Sequence, residues 1–594
     1  MTVPHLTLAT IQRHATDQSY TRGQNYFQSG AVVSVTQRQQ VLQAEVEGNE
    51  PKPYRVTIHF DSGGVTRADC TCQYSYEGWC KHVVATLLTC VRQPQTIEQR
   101  PTLEQLLDQL NWVQTQEMVQ NLVAANPELI ESVDFYVSQL GKPETSAPVS
   151  PPQRQTSIDP MPFKRRAREI LRHALSGWEY GQEEDEIADE MGELIDRALA
   201  FVEQGDVPSA RVVMQGITEG CAENWSDIDD FCGLTPTDVG LDLDTPWTEI
   251  LLSDELTVEE TLAWQEHLEA WQDQLDSFAM ALEALRQTWD YPPLVKVFAG
   301  EITAKGAWSG PPPAWAGEFS QIRLKILARQ ERYEDYLHLA EAEGQTPQYL
   351  SMLAQVGRID DLMKIAPQQI GTLADAKAVA ETLRSHNHLP QALEIALQGL
   401  RLEDDNAYNT FDFATWTSDL AEGLDNASAA LESRILAFKA QPSLKDYQTI
   451  ETLVGSDWPQ LQADLLQYLR APRQRWGIAA AQVEIFLQEG LLEDAIAVVS
   501  ELRSYDNNLI MRVMDAVIDT HSQWVIQNAR PRAESIMNEG KAQYYHHAVE
   551  WLKRVKAAYQ ALGKSEDWHR YHQQLTNTHG RKRKLIGLMK QNHL

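Results

Sequence analysis

Cys70-Thr71-Cys72-Gln73-Tyr74-Ser75-Tyr76-Glu77-Gly78-Trp79-Cys80-Lys81-His82 decides how this chain is read. Three cysteines and a histidine fall into two pairs, each pair split by a single residue. Residues two apart on a strand share a face, so Cys70 and Cys72 can reach one ion together. The loop Gln73–Trp79 lets the chain return, and Cys80 and His82 then bracket Lys81 at the start of a helix. Three thiolates and one imidazole complete a tetrahedral zinc shell. A closed shell leaves no position for water or substrate. The expected cofactor is therefore one structural Zn2+, stapling a module of about 90 residues whose core is thin.

The flanks complete that module. Residues 6–28 read as one helix with Gly30 as its stop. Val32, Val33 and Val35 start a strand, and Leu42, Ala44 and Val46 alternate with Gln43 and Glu45. Tyr54-Arg55-Val56-Thr57-Ile58-His59-Phe60 has the period of a half-buried strand. Asp61-Ser62-Gly63-Gly64 is a turn, from which Val65–Cys72 returns, and Lys81–Leu88 has helical spacing. Residues 1–95 are thus expected to form an α+β zinc module, a small antiparallel sheet plus helices.

The Cys-x-Cys…Cys-Lys-His signature with its following apolar helix resembles the SWIM zinc finger. Upstream, Tyr20-Thr21-Arg22-Gly23-Gln24-Asn25-Tyr26-Phe27-x-x-Gly30-x-Val32 is similar to a segment that often precedes the finger in bacterial members. The C-terminal His579-Gly580-Arg581-Lys582-Arg583-Lys584-Leu585 is similar to the end of stand-alone bacterial SWIM proteins with long helical tails. The resemblance implies binding to DNA or to protein, without deciding between them.

Charge is unevenly spread. The net charge is −33, yet residues 1–100 hold nine Lys/Arg and eight Asp/Glu. The acidic remainder would repel a polyanion, so nucleic-acid contact is expected on the N-terminal module or a local basic patch. Candidate contacts to DNA or a protein partner are Arg22, Arg55, Arg67 and Lys81, with Tyr74, Tyr76 and Trp79 as stacking platforms. The other reading has the arginines solvated and the aromatics capping the zinc core. Arg581–Lys584 with Lys590 forms a second basic patch, or equally the C-terminal end of a helix, where cations offset the macrodipole.

Beyond the module, residues 96–140 read as a short helical extension. Thr102-Leu103-Glu104-Gln105 fits a capping box, and Asn126-Pro127 fits a helix start. Residues 141–162 are rich in proline and small polar residues and read as a linker. From 163 to 594 helical periodicity dominates. Gly205-Asp-Val207, Gly357-Arg-Ile359, Asn387-His-Leu389 and Gly490-Leu-Leu492 each put Gly or Asn where a helix would end in the left-handed conformation. These are joints of helical hairpins at irregular spacing, so the region is expected to be an irregular α-solenoid.

The remaining candidates carry bland readings. Cys90, Cys221 and Cys232 read as buried core thiols, and the His386/His388 and His546/His547 pairs as surface or core histidines. The carboxylates at 183–186 and 227–244 do not fit a calcium loop and read as a solvated face. Gly563-Lys564-Ser565 ends like a phosphate-binding loop, but Ala558 stands where its first glycine belongs. No nucleophile elbow or His-Glu-x-x-His pair is present, so a non-catalytic protein is expected. No apolar run is long enough to span a membrane, and the first residues lack a secretory pattern, so a cytoplasmic location is expected. The helical array would suit protein partners, a basic protein or peptide above all on its acidic surface. The alternative is a protein scaffold whose finger is only structural and which binds no nucleic acid.

Overall fold

The structure is a computed structural model describing residues 6–50, 52–74, 78–110, 112–126, 158–179, 187–275, 278–404, 406–471, 478–502 and 506–594. Tyr76, residues 141–157 of the expected linker, the expected helix start at Pro127 and Glu183–Glu186 lie outside the described residues. The chain groups into two compact units, residues 1–98 with 396–594, and residues 99–395.

The first unit opens on the zinc module. Helices α1 (Leu8–Arg13) and α2 (Asp17–Gln28) precede strands β1 (Val32–Arg38), β2 (Val41–Val46), β3 (Tyr54–Asp61) and β4 (Gly64–Cys70), then helix α3 (Lys81–Arg92). The single helix expected over 6–28 is two. Thr16 takes extended backbone and its side chain accepts from Ser19 N–H, so a new helix is capped where the first one stops. Gly30 ends α2 at a φ of +72°.

The strands form an antiparallel meander, with the two-residue β5 (Glu98–Gln99) on its far edge in the order β4-β3-β2-β1-β5. Alternate residues Leu42, Ala44, Val46, Val56, Ile58 and Phe60 are buried, as the sequence alternation requires. That face packs with Val83, Val84, Leu87 and Leu88 of α3 in one core. Every residue of α3 from His82 to Cys90 is buried, which is how a helix closed in on several sides behaves. Cys90 is part of that core, as expected.

The rest of the first unit is helical hairpins. They share a core running from Phe438 to Met589. Gly563 does not hold a phosphate loop. It turns at φ +69° between the helices Tyr545–Ala561 and Ser565–His579.

The second unit is also helical, and its core gathers around the buried Trp247, whose indole N–H donates to Thr218 Oγ1 at 2.8 Å. Cys221 is buried there against Met191. The Thr102/Gln105 capping box forms reciprocally, at 3.0 and 3.2 Å. Asp244 is not on a solvated face. It is buried and accepts the backbone N–H groups of Met280 and Ala281, closing the start of helix Ala279–Arg286.

The four expected joints all take the left-handed conformation, with φ +76° at Gly205, +77° at Gly357, +63° at Asn387 and +71° at Gly490. Among the described residues no helix is long and apolar enough to cross a membrane.

Candidate metal centre

Three different local structures deliver the four side chains. Cys70 is the last residue of β4, Cys72 lies in the bend just past it, Cys80 is the N-cap of α3, and His82 stands in the first turn of α3. Cys72 therefore reaches the site from a bend rather than from a strand face. The four ligand atoms all lie within 4.8 Å of one another. His82 Nδ1 is 3.5 Å from Cys70 Sγ and 4.0 Å from Cys80 Sγ. Zn–S bonds near 2.3 Å and Zn–N bonds near 2.0 Å in a tetrahedron give S···N edges of about 3.5 Å. The donor set and its spacing fit one zinc ion, which would bind His82 through Nδ1. All three cysteines are free thiols.

The thiols do not titrate alike. Cys80 is held well below an ordinary thiol, first by the Cys70 S–H and then by His82 and the Val83 N–H. Cys70 is pushed up, mainly as the donor in that pair, and Cys72 is pushed up by its burial. Cys80 stands at the start of a helix, where a negative charge is favoured. A bound dication would draw the remaining thiols into the same ionised state.

His82 is oriented by packing. Its ring stacks on Tyr54 at 4.1 Å and takes the edge of Tyr26 at 5.4 Å. Its Nε2 is buried with no hydrogen-bond partner among the described residues, whereas ligand histidines usually donate that proton. Two glycines make room for this arrangement. A Cβ at Gly48 would collide with the Tyr54 ring, 2.9 Å from Cδ2. A Cβ at Gly23 would lie 2.6 Å from Val84 Cβ and 3.0 Å from the Lys81 carbonyl, so only glycine lets α2 close on the ligand-bearing turn. Gly48 and the Tyr54 stack carry no signal in the ligand spacing; Gly23 stands in the upstream segment that the resemblance marked.

The candidate contact residues divide between inside and outside. Tyr74 accepts a hydrogen bond from Ser19 Oγ at 3.1 Å, and Trp79 stacks on His14 at 4.6 Å. The Lys81 ammonium lies 4.6 Å over the Tyr26 ring. Arg67 is exposed but pairs with Asp69 at 2.7 Å. Arg22 and Arg55 are exposed.

A second cluster, unseen in the sequence, joins the module to helices Ala407–Gly423, Ala427–Ala440 and Leu444–Val454 of the same unit. Arg13 clamps Glu422 with both terminal guanidinium nitrogens, Nη1 and Nη2, at 2.6 and 2.9 Å and reaches Asp419 at 3.2 Å. His14 meets Asp419 at 2.9 Å, and Arg434, buried, meets it from the other side at 2.9 Å. Lys445 donates to the carbonyls of Arg13 and Ala15. Burial alone would raise the Asp419 carboxyl, but its interactions with His14, Arg13 and Arg434 outweigh it and hold the group far below the usual range.

A closed Cys3His centre on a small sheet and one buried helix defines a structural zinc finger. Residues 54–91 match the family model of the SWIM zinc finger, so the chain carries a SWIM finger. Over 112 residues it is 32% identical to the zinc finger SWIM domain-containing protein 8 homolog of Drosophila melanogaster. That likeness takes in 19% of this chain and only 5% of the relative. No solved structure matches the chain significantly.

Proposed function

We propose that this chain is a non-catalytic binding and adaptor protein in which the zinc finger is a structural staple. The observation that carries this reading is the half-buried ionic cluster. The finger already spends one face, Arg13 to Ala15, on the helices from Ala407 to Val454. Tyr74, Trp79 and Lys81 are engaged within the module, so two of the three expected aromatic platforms already contact its own residues. The helical hairpins are then the surface that meets a protein partner, a basic one by charge. Unpaired thiols at Cys70, Cys72, Cys80, Cys90 and Cys221 favour a reducing compartment, and we place the protein in the cytoplasm.

Hydrogen exchange of the full chain, before and after zinc chelation, tests the staple. Exchange should rise in residues 54–91 and also in 407–446. A rise confined to the finger would sink the reading. A second reading, the finger as a DNA contact, is favoured only by the exposed Arg22 and Arg55. It requires duplex binding that weakens in Arg22→Ala and Arg55→Ala.

A further inference from the structure

The sign of the chain reverses near its end. Residues 530–594 hold 13 Lys/Arg and five Asp/Glu, inside a sequence whose total is 51 against 84. Four of those five carboxylates are already used. Glu534 pairs with Arg530, Glu539 with Lys541, Glu550 with Lys553 and Arg554, and Asp567 with Arg570. Lys556 and Lys582 donate to the backbone carbonyls of His593 and Met537. Arg532 donates to the Asn528 carbonyl, and Lys564, Arg581, Arg583, Lys584 and Lys590 remain, all exposed and with no carboxylate within ion-pair distance among the described residues; the last four fall within ten consecutive positions.

Their placement is not that of a helix C-terminal cap. Arg581–Lys584 spans the turn into helix Arg583–Gln591 and its first residues, and only Lys590 falls in the last turn. Macrodipole compensation therefore explains Lys590 and not Arg583 or Lys584. Arg583, Gly587 and Lys590 follow the i, i+4, i+7 spacing of one helix face. A Cβ at Gly587 would touch nothing within 4 Å, so that face is open and smooth between two cations. The opposite face is anchored, with Leu585 and Met589 buried.

We propose that this face binds the phosphate backbone of a nucleic acid, without reading bases. The argument stands apart from how the finger is read. Uncompensated arginines and lysines about 10 Å apart along a helix suit a rod that carries a charge every ~1.7 Å. A membrane surface fits less well. An interfacial helix exposes large apolar side chains between its cations, and this one has none among its exposed residues.

The test uses the full-length, zinc-loaded protein and a fluorescent DNA duplex of random sequence, read by anisotropy across a salt series. Wild type should bind at low salt. The variant Arg581→Ala/Arg583→Ala/Lys584→Ala/Lys590→Ala should bind at least about tenfold more weakly, with a salt slope shallower by roughly 3. Gly587→Glu, which meets no steric obstacle, should weaken binding severalfold without lowering the melting temperature. Four outcomes overturn the proposal. These are no binding by wild type at the lowest salt, full binding by both variants, loss only in Arg22→Ala and Arg55→Ala, and capture by phosphatidylserine vesicles but not by duplex.

Discussion

Alanine at Gly423 should destabilise the protein, against the usual preference of a helix. Gly423 is the buried last residue of helix Ala407–Gly423. In a helix interior Gly→Ala normally gains about 1 kcal/mol. Here the new Cβ would sit on the Gly63 carbonyl in the β3–β4 turn, 2.5 Å from Gly63 Cα. Every colliding atom is backbone, so no rotamer relieves it, and reaching an ordinary contact needs a retreat of about 1 Å. Glu422, the neighbouring residue, holds Arg13 at 2.6 and 2.9 Å, a geometry such a retreat would disturb. Overpacking on this scale costs about 1–3 kcal/mol, so the net loss should be on the order of 1–2 kcal/mol. Thermal melting of the zinc-loaded chain reads it, in the transition that moves on chelation, as a drop of a few degrees. Gly587→Ala is the matched control. It is also a helical glycine but faces open space, and it should stabilise. If Gly423→Ala gains stability as Gly587→Ala does, the finger does not dock as described.

Cys72→Ser should lower bound zinc from about one ion per chain to near zero by elemental analysis, because a structural site rarely survives on three ligands. Gly23→Ala should lift α2 from the ligand-bearing turn and weaken zinc on the order of tenfold in competition with a chromogenic chelator; unchanged affinity would remove α2 from the site's support. Asp419→Asn should cost about 3–5 kcal/mol near neutral pH, since it strands Arg13 and Arg434 without their shared carboxylate. The pH dependence has a definite sign. A carboxyl lowered on folding stabilises above its unfolded pKa of about 4 and loses that contribution as pH falls. Denaturation midpoints of wild type and Asp419→Asn should therefore converge as the pH drops below about 4. A gap that persists in acid would mean the charge is not the cause.

The zinc ligands were legible because they lie within thirteen consecutive residues, where spacing alone restricts geometry. The hairpin joints were legible because Gly or Asn at a helix end answers a local backbone demand. The break at Thr16 was missed because apolar points on either side continue the helical period, and only the Thr16–Ser19 cap interrupts it. Asp244 looked like one more surface carboxylate because its partners, Met280 and Ala281, offer backbone N–H groups that no side-chain pattern announces. The ionic cluster was out of reach for a different reason. Arg13 and Glu422 are 409 residues apart, and each alone looks like an ordinary surface charge. The basic run was visible, and so was the helical spacing that pairs Arg530, Arg554 and Arg570 with nearby acids, but that Lys556 and Lys582 turn to the carbonyls of His593 and Met537 depended on how the helices pack.

A short relay ties the zinc to the helices. Trp79 directly precedes the ligand Cys80. Its backbone N–H donates to the His14 carbonyl at 2.7 Å, and its ring stacks on the His14 ring. His14 then meets Asp419 at 2.9 Å. Helix α1 has six residues, too few to hold its shape alone in water. It is held between the zinc loop on one side and Asp419, Glu422 and Lys445 on the other. Losing the metal would free the loop, free α1, leave Asp419 with one arginine, Arg434, instead of two, and take Arg13 from Glu422. On the staple reading, chelation should therefore loosen more than the finger, because the helices from Ala407 to Val454 would lose charges that neutralise theirs.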